Sequence, residues 1–252
     1  MKKEIVSHNH NNYAVTEEEI KTDEKERKKC EAAYQVLYYS ILDHRSRIYM
    51  NPLMARLTSE NVEAAIDAVL LDRPEIFWVD GGAPISYTCS AITHHVLSVK
   101  INYTIPKETY QKNIFEFEQA AEAFRRNLQD EPGIEKEIEA IRGSIIANMR
   151  YDNTTPFCHT AYGAFVDGLA CCDGISRAAQ YTLQQDGYQA VLLKGTVQSN
   201  DLHAWLCVGT ATSQYYVDFT YALSHPNDTV HWYSPVDDTN SMFAKYYQQK
   251  QK

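Results

Sequence analysis

The sequence predicts an α+β fold, because its strand-like and helix-like runs are grouped instead of alternating one by one. Runs rich in β-branched and aromatic residues gather near residues 75–105 and again near 189–222, each preceded by stretches with apolar residues at three- and four-residue spacing. With 252 residues, 44% of them hydrophobic, the chain can bury one large core or a smaller unit packed on a larger one.

Residues 1–16 are polar, rich in His and Asn and without periodicity, which reads as a mobile arm. His8 and His10 in it read as solvated, since no Cys or His stands at metal-ligand spacing. From Thr16 the pattern is helical. Thr16 and Glu19 form a capping-box pair, Ala33, Val36, Leu37, Ser40 and Ile41 mark one face, and a break is expected around Thr22–Lys25. A second helix starts at an N-cap serine, Ser59, with Val62, Ala65, Ile66, Val69 and Leu70 on its apolar side, and stops at Pro74. EIFWVD, ISYTCS and HVLSVKINYTI then predict a small antiparallel sheet ending near Pro106.

Two helices follow, over 107–129 and 133–149, the second with Ile134, Ile138, Ile141, Ile145 and Ile146 on its buried side. After the irregular YDNTTPFCHTAYGAFVDG comes a helix with Ile175, Ala178, Ala179 and Leu183 on one face. Three strands close the order, QAVLLKGTV, HAWLCVGT and QYYVDFTYA. The expected division is an arm over 1–16, an N-terminal α/β region over 17–105 and a core over 106–252.

Acidic residues outnumber basic ones by 33 to 24, a net charge of −9, so no basic footprint invites nucleic acid or an anionic membrane. There is no apolar run of transmembrane length, and no signal-peptide core follows Lys2 and Lys3. A soluble protein, cytoplasmic by default, is expected; an export signal ahead of Met1 would make it secreted or cell-surface. Six cysteines are too sparse for a disulfide framework and read as free thiols.

The chemistry is concentrated in GLACCDGISRAAQYT, where two cysteines stand at the junction of a turn and a helix. A helix N-terminus favours the thiolate, so one of Cys171 and Cys172 is placed to act as a nucleophile. A nucleophile needs a base, and the base a group that holds its tautomer. His203 at the start of one strand run and Asp218 within the next are the candidates, and adjacent antiparallel strands would set them side by side. Asp173 reads as a first-turn acid interacting with the helix dipole.

These residues resemble the core of the bacterial transglutaminase-like superfamily, on a papain-like fold in which a helix bearing the cysteine packs on an antiparallel sheet bearing His and Asp. The family pattern G-x-A-[apolar]-C-x-G-[aromatic or apolar] falls on Gly168, Ala170, Cys171, Cys172, Gly174 and Ile175. The resemblance thus implies Cys172 as nucleophile, with Cys171 in the apolar slot. The family's histidine falls on His203 in HAW, and its aspartate on Asp218 in V-D-x-T. AYGAFVDG, GYQAVLLKGTV, and farther upstream LLDRPEIFWVD and INYTI, extend the likeness over most of residues 60–235.

The expected activity is acyl transfer on a protein or peptide substrate through a thioester, with hydrolysis slightly favoured over transfer to an amine. A transglutaminase and an idle scaffold module are the alternatives. For the oxyanion, the Cys172 N–H is one expected donor and Tyr162 the other, with His159 behind it. Trp205 and Tyr221 are expected to line the cleft. Cys171 is read as packing or as a redox neighbour. No cofactor or metal is expected, since Cys158, His159, Cys171, Cys172 and His203 lack a C-x₂-C pair and DGLACCDG lacks the oxygen ligands of a calcium loop. The N-terminal region is a candidate for contact with a protein or cell-wall partner.

Overall fold

The computed structural model describes residues 17–50, 56–128, 133–197, 201–210, 213–228, 232–236 and 247–249; the predicted arm lies outside them. The chain divides into two compact units, one of Met1–Val69 with Val79–Thr104 and one of Leu70–Trp78 with Ile105–Lys252.

In the first unit, α1 (Glu17–Leu42) runs unbroken through the expected break at Thr22–Lys25. It buries Ala33, Leu37 and Ile41 at four-residue spacing. The chain leaves the helix through His44, whose φ of 51° is left-handed; its ring stacks on Tyr103 at 3.9 Å, and the Arg45 N–H returns to the Ser40 carbonyl. α2 (Ser59–Asp72) is capped one residue earlier than the sequence suggests: Thr58 Oγ1 accepts from the Asn61 N–H, while Asn61 Oδ1 accepts from the Thr58 N–H. β1 (Arg47–Tyr49), β2 (Ile85–Cys89) and β3 (Val96–Ile101) form an antiparallel sheet in the order β1-β3-β2.

EIFWVD is not a strand. Only Val79 makes an antiparallel bridge, to Tyr103, and Ile76, Phe77, Trp78 and Val79 are all buried, without the alternation a one-sided strand shows. Phe77 and Trp78 belong to the second unit, where their rings meet Phe117, Tyr162 and Tyr110.

The second unit holds α3 (Lys107–Arg126), α4 (Ile134–Asn148), a two-residue parallel pair of β4 (Arg150–Tyr151) and β5 (Leu169–Ala170), and α5 (Cys172–Gln185). An antiparallel sheet follows, formed by β6 (Gln189–Val197), β7 (Leu202–Gly209), β8 (Gln214–Val217), β9 (Tyr233–Pro235) and β10 (Tyr247–Gln249) in the order β10-β6-β7-β8-β9. The predicted strand QYYVDFTYA is cut in two: β8 ends at Val217, and Asp218 caps a short helix, α6 (Phe219–Ser224), by accepting the Tyr221 N–H at 2.9 Å. An aspartate offers its carboxylate to an N–H ahead of it more readily than it extends a strand. Among the described residues, no helix is long and apolar enough to cross a membrane.

α5 is the central element, with Gly174, Ile175, Ser176, Ala178, Ala179, Gln180, Thr182 and Leu183 all buried. Its polar side chains find backbone partners. Arg177, Gln180 and Gln184, spaced along one face, donate to the carbonyls of Leu70, Leu71 and Asp72 at the end of α2, which would otherwise be orphaned. Gly174 lets the 157–160 segment lie directly on the first turn: a Cβ there would overlap the Cys158 carbonyl oxygen and sit 2.9 Å from the Thr160 oxygen. Gly174→Ala should lower stability by about 1–3 kcal/mol through this overpacking, read as a fall in the urea midpoint at unchanged slope.

Candidate active site

Cys171 is the N-cap of α5 with extended backbone (φ −87°, ψ −174°), and Cys172 is its first residue. The Cys171 N–H donates to the Cys158 carbonyl at 3.0 Å, which ties the preceding irregular segment to the helix start. Cys171 is buried and Cys172 half-buried. The two sulfurs are hydrogen-bonded and share one negative charge. The Cys172 thiol as donor, followed by the backbone N–H groups of Gly174 and Asp173 and by the His159 imidazole, holds Cys171 down at about 6 against its desolvation. The neighbouring thiolate, reinforced by burial, pushes Cys172 up.

β7 carries the candidate base, His203. His203 Nε2 lies 2.7 Å from Asp218 Oδ2, and Asp218 is fully buried. The carboxylate is held in turn, since its Oδ1 receives the Tyr221 N–H and its own N–H donates to the Trp232 carbonyl at 2.8 Å. With Nε2 donating to the carboxylate, Nδ1 is the ring atom that accepts a proton. The two residues do not face each other across paired strands as expected. Leu206 pairs with Val217, so Asp218, just past the end of β8, reaches diagonally to His203.

Cys172 and His203 are linked through Ala204. The Cys172 sulfur accepts the Ala204 N–H, and Ser176, one turn on, donates to the Ala204 carbonyl at 3.3 Å. One backbone unit of β7 is therefore held by the first two turns of α5, next to the histidine. With Cys172 on a helix packed against an antiparallel sheet that carries His203, and Asp218 just past the end of β8, the second unit is an α+β core.

Tyr162 is turned toward α3: its hydroxyl donates to Glu116 at 3.0 Å and accepts from Asn113 at 3.2 Å, and its ring packs on Phe77 and Phe157. His159 faces the other cysteine, with Nδ1 3.0 Å from Cys171 Sγ. Trp205 is buried, its ring stacked 6.2 Å from that of His203. The Tyr221 hydroxyl meets Asp228 and its ring stacks on His225.

Two features escaped the sequence reading. Asp173 is paired with both Lys194 Nζ (3.1 Å) and Arg177 Nε (3.4 Å); its i,i+4 spacing from Arg177 was the available signal. Tyr151 lies close enough to the thiols that their charge adds to burial in raising its hydroxyl. In addition, Cys158 Sγ, His159 Nδ1 and Cys171 Sγ all lie within 4.8 Å of one another.

No family model matches the chain, and no curated protein does. Among solved structures, the chain is similar to a TGase (14% identity, TM-score 0.38, covering 55% of this chain and 45% of that one). It is also similar to a protein of Cytophaga hutchinsonii assigned as a cysteine protease (12%, TM-score 0.36, 50% and 51%) and to menin (16%, TM-score 0.33, 46% and 26%). The chain spans about half or less of each of these proteins.

Lowering the pH through about 6 protonates the pair and removes its thiolate. Iodoacetamide labelling of the Cys171–Cys172 pair, falling first on Cys171 where the charge sits, should therefore persist to near that pH, below the ~8.5 at which an ordinary free thiol loses reactivity. Peptide mass spectrometry across a pH series checks this.

Proposed function

We propose that the protein is a cysteine-dependent acyl-transfer enzyme acting on peptide or amide bonds, with Cys172 as nucleophile, His203 as general base and Asp218 as the carboxylate that orients it. The observation that supports this reading is the Ala204 junction, where the Cys172 sulfur meets the backbone beside a histidine 2.7 Å from a buried aspartate. His203 Nδ1 takes the thiol proton and the sulfur attacks the substrate carbonyl carbon. The Cys172 N–H, an orphan donor of the first helical turn, stabilises the oxyanion. The imidazolium returns its proton to the leaving amine as the C–N bond breaks, leaving a thioester. Water activated by His203 then releases the acid and restores the thiol.

Hydrolysis is favoured over transfer to an amine because Cys172 and His203 are only partly buried, so solvent reaches the thioester. Cross-linking requires a site that holds water off the intermediate. An intact Cys172, His203 and Asp218 weighs against an idle scaffold. For the first unit we propose a role in engaging a protein or cell-wall partner. Tyr39, Tyr49, Ile92 and Leu97 are exposed on it, with Tyr49 and Leu97 on adjoining strands.

Intact-mass detection of an acyl adduct after reaction with p-nitrophenyl acetate, mapped by peptide sequencing, should place the acyl group on Cys172. Cys172→Ala should abolish it, and His203→Ala should slow it ~10²–10⁴-fold with unchanged circular dichroism. Acylation that survives Cys172→Ala and is lost in Cys171→Ala would move the role to Cys171. Adding hydroxylamine and measuring hydroxamate against free acid separates amine transfer from hydrolysis.

Asp218→Asn should also slow acylation, by ~10²–10⁴-fold, because an amide does not hold the Nε2–H tautomer in the same way. Its pH–rate profile should shift, which a loss of packing alone would not produce.

A further inference from the structure

We propose that Cys158, His159 and Cys171 form a binding site for a thiophilic divalent cation of the zinc class, next to the acyl-transfer residues, since Cys171 is hydrogen-bonded to Cys172. Neither Cys158 nor His159 takes part in the chemistry proposed above. Even so, Cys158 Sγ, His159 Nδ1 and Cys171 Sγ converge to within 4.8 Å of one another, with His159 Nδ1 and Cys171 Sγ at 3.0 Å. Around a tetrahedral ion with metal–sulfur bonds of about 2.3 Å and metal–nitrogen bonds of about 2.0–2.1 Å, donor atoms stand about 3.5–3.8 Å apart. Small side-chain adjustments bring the three donors to that spacing.

The donors are held by backbone on two segments. The Cys171 N–H donates to the Cys158 carbonyl at 3.0 Å, the Cys158 N–H donates to the Thr155 carbonyl at 3.2 Å, and Gly174 lets that carbonyl rest on the first turn of α5. Two sulfurs and an imidazole select zinc, cobalt or copper over the oxygen-seeking magnesium and calcium. Cys158 and Cys171 are buried and His159 is exposed, so the ion enters from the His159 side and a water completes the fourth position. A bound ion cross-links the 157–160 segment to the N-cap of α5 and stabilises the folded form by mass action.

Cobalt(II) titration of the reduced full-length chain, followed by absorption, tests this. One equivalent should produce a thiolate-to-cobalt charge-transfer band with the intense visible bands of tetrahedral geometry, displaced by zinc, together with a rise in melting temperature. Cys158→Ser and the surface variant His159→Ala should each weaken binding by about 100-fold, whereas Cys172→Ser, which alters only a hydrogen bond to Cys171, should retain the charge-transfer and tetrahedral bands. His159→Ala keeps the test decisive if Cys158→Ser fails to fold. A weak octahedral spectrum without the charge-transfer band marks binding by histidines outside the cluster and overturns the site. So does a spectrum lost in Cys172→Ser but retained in His159→Ala, which would put the ion on the vicinal thiols. Because the readout is spectroscopic, failure here leaves the acyl-transfer reading standing, and failure of acylation leaves this one standing.

Discussion

The second unit depends on one constraint: α5 is buried on nearly every side and still carries Ser176, Arg177, Gln180, Thr182 and Gln184. A buried polar group left without a partner costs about 1–3 kcal/mol; Thr182 turns back to the Ala178 carbonyl of its own helix, and the others point at backbone groups of other elements. The last carbonyls of α2 receive Arg177, Gln180 and Gln184, the Ala190 carbonyl of β6 receives Gln180 and Gln184, and the Ala204 carbonyl of β7 receives Ser176. These directional contacts set the rotation and height of the helix against the sheet. That, in turn, decides where the sulfur of its first residue lies.

Asp218 has a comparable double role. As a helix cap it ends β8 and turns the chain into α6, and with its other oxygen it holds His203. A buried carboxylate needs hydrogen-bond donors, and the Tyr221 N–H is one that the cap position supplies and a continuing strand would not. The break in the strand and the orientation of the imidazole are thus consequences of the same residue.

At the helix start the electrostatics favour one charge, not two. The N–H groups of the first turn attract a thiolate, and two adjacent sulfurs in partly desolvated surroundings cannot both ionise. The charge settles toward Cys171, the more enclosed sulfur and the one facing His159. Cys172 keeps its proton beside the Ala204 junction, next to His203 in sequence.

Much of this was legible from local pattern. The apolar spacing of Ile175, Ala178, Ala179 and Leu183, and the turn residues before Cys171, sufficed to place a helix beginning at the cysteine pair. Runs such as QAVLLKGTV and HAWLCVGT sufficed for an antiparallel sheet, because side-chain periodicity is a property of neighbouring residues. EIFWVD misled for the same reason. Its β-rich composition reflects burial among Tyr110, Phe117 and Tyr162, which lie far along the chain. The N-cap role of Asp218 was hidden by the apolar residues around it, and the partner of Tyr162 by the 46 residues that separate it from Glu116. By itself the sequence determined the residue types, their order and the helix that starts at Cys171–Cys172. Which sulfur meets His159 and which meets Ala204 was decided only by tertiary structure, because the direction of a side chain at a helix cap depends on the segments packed against it.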